Sequence, residues 1–332
     1  MFSSLVKTWK PWIFQGHKNK KHYFEGWYFK CVDAARKHVV SIIPGIALNE
    51  KTNNSHAFIQ LFDGTSNTSQ YHIYPVSTFT ASKNTLDIRI ATNKFTEKRL
   101  DLDIDTDEGR ALGTIHLSEF KRWPIHFFTP GFMGWYAFVP YMQCYHGVLG
   151  FDHEISGSIE INNRMIDFSG GRGYVEKDWG TSFPRAWIWM QSNHFMEDDI
   201  SFMCSIATIP WIGNYFTGFG AGFWYKGDLF PFTKWNGSHI GNLSIKSDQT
   251  SFTIVHPRRK IEVSATGEDA GELRSPVFGE MAGKVLESLK GKITLKFSIL
   301  ETGVWKTVFS GEGTNGGLEI MGDPKEIIRG IT

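Results

Sequence analysis

The strongest constraint on the fold is the spacing of apolar residues, which is two in segment after segment. Leu86, Ile88 and Ile90 alternate with other residues within 85–91, and Leu100, Leu102 and Ile104 do so within 99–105. A period of two sends successive side chains to opposite faces of an extended chain, so each segment predicts a strand with one buried face. Segments 153–161 and 164–168 flank Asn162-Asn163, a pair that tolerates positive φ and predicts a two-residue hairpin turn. Further strands are predicted over 251–255, 260–265 and 292–301. The clearest helix candidate is short, from Gly279 to Leu289, with Met281, Val285, Leu286 and Leu289 at helical spacing. Many short strands with few short helices predict an all-β chain of sandwiches or barrels.

The chain also repeats itself. Gly26-Trp27-Tyr28-Phe29-Lys30-Cys31 is echoed by Ala186-Trp187-Ile188-Trp189-Met190-Gln191. Ser41-Ile42-Ile43 follows the first of these blocks, and Ser201-Phe202-Met203 follows the second at the same interval. Val148 to Ile161 then matches Val285 to Ile299, and Phe168-Ser169-Gly170 matches Phe309-Ser310-Gly311. The matches keep the same order, which predicts two related β domains, 22–181 and 182–332, after a lead-in of residues 1–21. With 332 residues, two domains of roughly 150, or one large one, are expected on length.

Composition removes several function classes. A net charge of +1 argues against a nucleic-acid binder. Residues 123–151 and 200–225 contain no Asp, Glu, Lys or Arg, a length that raises the question of a membrane span. Pro124, Pro130 and Pro140 interrupt the first stretch, and Pro210 with four glycines interrupts the second. These are expected to be strands and loops that line an apolar interior or lie against lipid, not spanning helices. The apolar runs before Lys20 are too short for a signal peptide. Cys31, Cys144 and Cys204 are widely spaced and odd in number, so buried reduced thiols are expected. Together these features predict a cytoplasmic chain with scope for peripheral membrane contact; the oligomeric state stays open.

Chemistry concentrates where the two repeats meet, in Gly170-Gly171-Arg172-Gly173-Tyr174-Val175-Glu176-Lys177-Asp178-Trp179-Gly180. On a strand, Glu176 and Asp178 share a face, with Tyr174 beside them. Paired carboxylates among aromatic rings can keep one acid protonated near neutrality. With Arg172 and Lys177 nearby, the same residues could instead form a structural ion-pair network. Glu25, in an aromatic strand, is expected to pair with Arg172 or Lys177. His146, His153 and Glu154 lack the H-x-x-x-H or H-E-x-x-H spacing, so neither a metal nor any other cofactor is predicted. No phosphate loop and no nucleophile elbow are found.

His22-Tyr23-Phe24-Glu25-Gly26-Trp27-Tyr28-Phe29-Lys30, then Gly173 to Gly180, then Trp187-Ile188-Trp189-Met190-Gln191-Ser192-Asn193 resemble, in content and order, blocks of the tocopherol cyclase family. The wider group includes carotenoid 1,2-hydratases and lipocalin-like pericyclases. The resemblance spans most of the chain. It implies two lipocalin-like β-barrel or β-sandwich domains packed together, with an apolar site between them.

It also implies a reaction. An acid protonates a trisubstituted alkene of a prenylated hydroquinone, and the phenol oxygen captures the tertiary cation; the hydratases capture the cation with water. Such a step needs a positioned acid, a dry cavity and aromatic faces worth about 0.5–2 kcal/mol each to a developing cation. By resemblance Glu176 stands where the hydratases carry an Asp, which makes it the candidate proton donor. Asp178 stands where tocopherol cyclases usually show Asn, so a second carboxylate could tune Glu176, replace it or accept the phenolic proton. Trp27, Tyr174, Trp179, Trp187 and Trp189 are candidate cavity walls, and Gln191 and Asn193 candidate contacts to a ring hydroxyl. The competing expectations are a hydratase and a non-catalytic carrier of a hydrophobic small molecule.

Overall fold

The computed structural model describes residues 7–18, 20–211 and 213–331. They form two compact units: one comprises 1–183 and 271–285, the other 184–270 and 286–332. The described strands form two antiparallel sheets.

The first sheet contains β1 (His22–Val32), β2 (Val39–Asn49), β3 (His56–Asp63), β4 (Thr68–Tyr74), β5 (Phe79–Ala81), β6 (Asp87–Ile90), β7 (Asn93–Thr96), β8 (Arg99–Thr106), β9 (Gly109–Leu117), β10 (Cys144–Ile161), β11 (Arg164–Asp167) and β12 (Gly171–Gly180). Their order across the sheet is β4-β3-β2-β1-β12-β10-β9-β8-β7-β6-β5, with β11 added to β10. The expected Asn162-Asn163 turn joins β10 to β11, both residues at positive φ, 48° and 64°. Strand β3 also approaches β6 from the far side of the path, so the sheet wraps around its own apolar core. Trp27, Phe29, Ile42, Ile88, Phe95, Leu100 and Val175 are buried there.

The second sheet contains β13 (Ala186–Ser192), β14 (Ile200–Trp211), β15 (Asn214–Tyr225), β16 (Asp228–Thr233), β17 (His239–Ile245), β18 (Gln249–His256), β19 (Arg259–Thr266), β20 (Gly271–Val277), β21 (Glu280–Glu301) and β22 (Val304–Met321). Its order is β16-β15-β14-β13-β22-β21-β19-β18-β17, with β20 paired to β21. Both sheets wind alike: a four-strand meander runs back to its first strand, which pairs on its other edge with the last long strand. Helix α1 (Pro324–Ile331) follows β22. The uncharged stretches are the 123–143 loop running into β10 and the β14–β15 hairpin. No helix among the described residues is long and apolar enough to cross a membrane. Cys31, Cys144 and Cys204 are buried free thiols, as expected.

One expectation is corrected. Gly279 to Leu289 is not a helix; residues from Glu280 onward belong to β21. Val285, Glu287, Leu289, Gly291, Ile293, Leu295 and Phe297 are all buried, a clear period of two, while Leu286 faces outward. The buried Glu287 breaks the apolar alternation, and the outward Leu286 mimics a helical stripe.

Candidate functional site

Strand β12 lies at the centre of the first sheet, between β1 and β10. Its alternation separates two groups of side chains. Tyr174, Glu176 and Asp178 point one way, and Val175, Lys177 and Trp179 the other.

On the first face, register brings in a residue from β10: His146 lies opposite Asp178. Its Nδ1 is 2.9 Å from Asp178 Oδ1, and its Nε2 is 3.4 Å from Glu176 Oε2. The first is a hydrogen bond; the second is an ion-pair distance without hydrogen-bond alignment. The Tyr174 hydroxyl donates to Glu176 Oε2 at 2.6 Å. Cys144 Sγ lies 3.8 Å from Asp178 Oδ1. Burial opposes charge on His146, but the Asp178 and Glu176 carboxylates outweigh it and hold the imidazole pKa well above its usual range. Burial, reinforced by Glu176, raises the Tyr174 phenol, and burial with Asp178 raises the Cys144 thiol. Both therefore keep their protons. The cluster holds a proton on an imidazole clamped by two carboxylates.

A cavity of about 350 Å³ lies beside this cluster. His146, Tyr145, Val148, Phe132, Met142 and Trp179 are among its lining residues, and Glu176 and Asp178 are not. The Phe132 ring meets His146 edge-on at 4.9 Å, and Tyr145 stacks on Trp179 at 5.6 Å. His146 is thus the member of the cluster that reaches the cavity, with the carboxylates behind it. Sequence reasoning weighed His146 only as a metal ligand and missed this role. Ligand atoms of His146, Glu176 and Asp178 lie within 4.8 Å of one another, so the same three side chains could also hold a divalent cation.

The opposite face holds a buried ion pair. Lys177 Nζ is 2.5 Å from Glu25 Oε1, and neither side chain is exposed. This is one of the two pairings expected for Glu25; the other is corrected. Arg172 pairs with Asp152, which also binds Lys121 at 2.8 Å. The reason is register: Glu25 lies opposite Trp179, seven residues from Arg172 along β12, about 23 Å of strand. The lead-in completes the pair's surroundings. Lys177 donates to the carbonyls of Pro11 and Ile13, and Glu25 accepts the N–H groups of Gln15 and Gly16. The Lys177 ammonium also stands 4.7 Å above the Trp27 ring and 4.8 Å above that of Trp179.

The remaining predicted residues divide. Trp27 is fully buried in the first core and donates its indole N–H to the Trp12 carbonyl; it does not line this cavity. Trp187, Trp189, Gln191 and Asn193 belong to the second unit and are not among the lining residues. There Trp187 donates to Glu319 at 2.5 Å, and Gln191 donates to Asn193 at 3.3 Å.

Comparison with known proteins now decides the family. The model of the tocopherol cyclase-like family matches residues 120–322, which include His146, Glu176 and Asp178. The chain belongs to the tocopherol cyclase-like family. The chloroplastic tocopherol cyclase of Zea mays is 26% identical over 150 residues, 44% of this chain and 31% of that protein. The match therefore spans less than a third of the relative's length. Two solved structures share the fold over most of both chains. Kievitone hydratase from Nectria haematococca has a TM-score of 0.51 at 12% identity, covering 94% of this chain and 93% of its own. CghA has a TM-score of 0.53 at 10% identity, covering 91% and 89%.

Proposed function

We propose that the protein is an acid-catalysed cyclase that closes a ring on a prenylated or otherwise hydrophobic alkene held in the cavity beside His146. The observation that carries this reading is the clamped imidazole: a proton is held at an aromatic cavity wall by the buried Glu176 and half-buried Asp178 carboxylates. A carrier needs the cavity but has no use for that proton.

In this scheme, the substrate's apolar tail lies against Phe132, Met142 and Trp179. The acid pair of His146 and Glu176 delivers its proton to one alkene carbon, and the π electrons form the new C–H bond. The phenol oxygen attacks the neighbouring carbon as positive charge develops there, forming the C–O bond. The phenolic proton returns to the cluster, with Asp178 as a suitable acceptor. Substrate and product are isomers, and the enzyme ends as it began. Tyr174 positions the Glu176 carboxylate through its hydroxyl, and Asp178 fixes the ring of His146. Aromatic walls stabilise the developing cation and keep out competing water. Family membership supports a cyclase, while the short match to the Zea mays enzyme leaves the substrate itself part of the proposal.

The test supplies purified protein with a prenylated hydroquinone in detergent and follows chromanol formation. Wild type is expected to turn over, and Glu176→Gln and His146→Gln to lose roughly 10²- to 10⁴-fold in rate. Full activity in both variants would remove the acid role. A product heavier by one water would make the enzyme a hydratase. An untransformed lipid co-purifying with an inactive wild type would favour the carrier.

A further inference from the structure

We propose that the 123–142 loop docks on an anionic lipid surface and opens the cavity directly toward it. Five large aromatic side chains in this loop face solvent: Phe127 (71% exposed), Phe128 (77%), Trp135 (46%), Phe138 (40%) and Tyr141 (86%). Single exposed apolar residues are ordinary, but five within 127–141 form a patch that water disfavours. None of residues 123–151 is Asp, Glu, Lys or Arg, so no charge opposes entry into a lipid interface. Phe, Trp and Tyr are the side chains that settle at the headgroup boundary.

The patch is built into the fold. His126 and Thr129 exchange backbone hydrogen bonds, and Ile125 bridges to Pro130, a tight turn with Phe127 and Phe128 at its tip. Trp9 of the lead-in stacks on Phe127 at 5.6 Å, meets Phe138 edge-on at 5.3 Å and donates its indole N–H to the Phe127 carbonyl. The lead-in supplies charge of one sign: Lys7, Lys10, Lys18, Lys20 and Lys21 precede the first acidic residue, Glu25. Lys10 follows Trp9 directly, and Lys20 lines the cavity. Lys10, beside the Trp9 that stacks on Phe127, gives the uncharged aromatic tip a basic neighbour that complements an anionic bilayer.

Continuity with the cavity gives the surface its use. Pro130, Phe132, Met133, Ala137, Tyr141 and Met142 belong to the loop and line the space that reaches His146. A hydrophobic molecule dissolved in lipid would pass along this wall without crossing water. The docking surface stands whatever reaction His146 supports, because vesicle binding needs no turnover.

The test is flotation of the full chain with vesicles of phosphatidylcholine, alone or doped with phosphatidylglycerol. Wild type should float with the doped vesicles and release at high salt. Phe127→Ser/Phe128→Ser should lower partitioning by about 10- to 100-fold, from two lost apolar anchors. Phe128→Ser alone, which leaves the Trp9–Phe127 stack in place, should lower it less, and both variants should keep the wild-type circular dichroism spectrum. Equal flotation of wild type and the double variant would overturn the proposal, as would failure of wild type to float with either vesicle. Self-association that depends on Phe127 and Phe128 without vesicle binding would also overturn it, in favour of a second copy of the chain.

Discussion

Replacing Lys177 by Met should be among the most damaging single changes in the first unit, although its side chain lines no cavity. The Lys177 ammonium makes the 2.5 Å contact to Glu25 and donates to the Pro11 and Ile13 carbonyls at 2.9 and 2.5 Å. Burial lowers its pKa to about 8, with Glu25 opposing the fall. Lys177→Met leaves Glu25 buried with the Tyr23 hydroxyl and the Gln15 and Gly16 N–H groups, but without its counter-charge. Breaking one side of a buried pair costs about 3–5 kcal/mol, and each orphaned carbonyl adds about 1 kcal/mol unless water reaches it. The three surviving donors to Glu25 offset part of this, so a loss of about 4 kcal/mol is expected. Glu25→Gln/Lys177→Met removes both charges and should recover about half of that loss, and with Glu25→Gln alone it closes the cycle that gives the coupling energy. Urea denaturation followed by tryptophan fluorescence measures these values; with two compact units, only the transition of the first should move. Trypsin should also cut faster after Lys7 in the single variant, because Pro11 and Ile13 lose their anchor. A Lys177→Met protein within about 1 kcal/mol of wild type, with unchanged trypsin resistance, would refute this account of the pair.

Four further outcomes follow from the structure. ¹⁵N NMR of labelled histidine should show His146 still charged well above the ordinary imidazole value of 6.5, and Asp178→Asn should bring the titration down. Because the folded-state value is raised, this charge stabilises the protein fully below pH 6.5, and the benefit fades as pH rises through the folded value; denaturation of His146→Gln at several pH values should lack that slope. Zn²⁺ should compete with the proton at His146, Glu176 and Asp178, so zinc should inhibit turnover and a chelator should restore it. Gly173→Ala should destabilise the first unit by about 1–3 kcal/mol in thermal unfolding, because the new methyl group runs into the buried His153 ring.

For the central strand the local sequence set a condition: if extended, the segment puts Tyr174, Glu176 and Asp178 on one face, as β12 does. The cost of burying Glu25 called for a cationic partner, Arg172 or Lys177, and it is Lys177. Other parts depended on register. His146 lies 32 residues from Asp178 and reaches it only because β10 pairs with β12, which no local ligand spacing can reveal. The backbone carbonyls that the lead-in offers Lys177 leave no mark in side-chain chemistry. The helix expected over Gly279 to Leu289 failed because a charged residue, Glu287, occupies an inward position of β21. Winding order is the reverse case: three of the four matched blocks occupy strands of the same rank in two sheets that wind alike, while Phe168-Ser169-Gly170 forms the turn before β12 and Phe309-Ser310-Gly311 lies inside β22.

Turnover in D₂O tests the acid step most directly. With a prenylated hydroquinone as substrate, mass spectrometry of the chromanol should show one deuterium on the carbon that received the proton. Glu176→Gln and His146→Gln should form this product far more slowly. A chromanol formed without deuterium, or formed at the wild-type rate by both variants, would contradict proton delivery from the cluster of His146, Glu176 and Asp178.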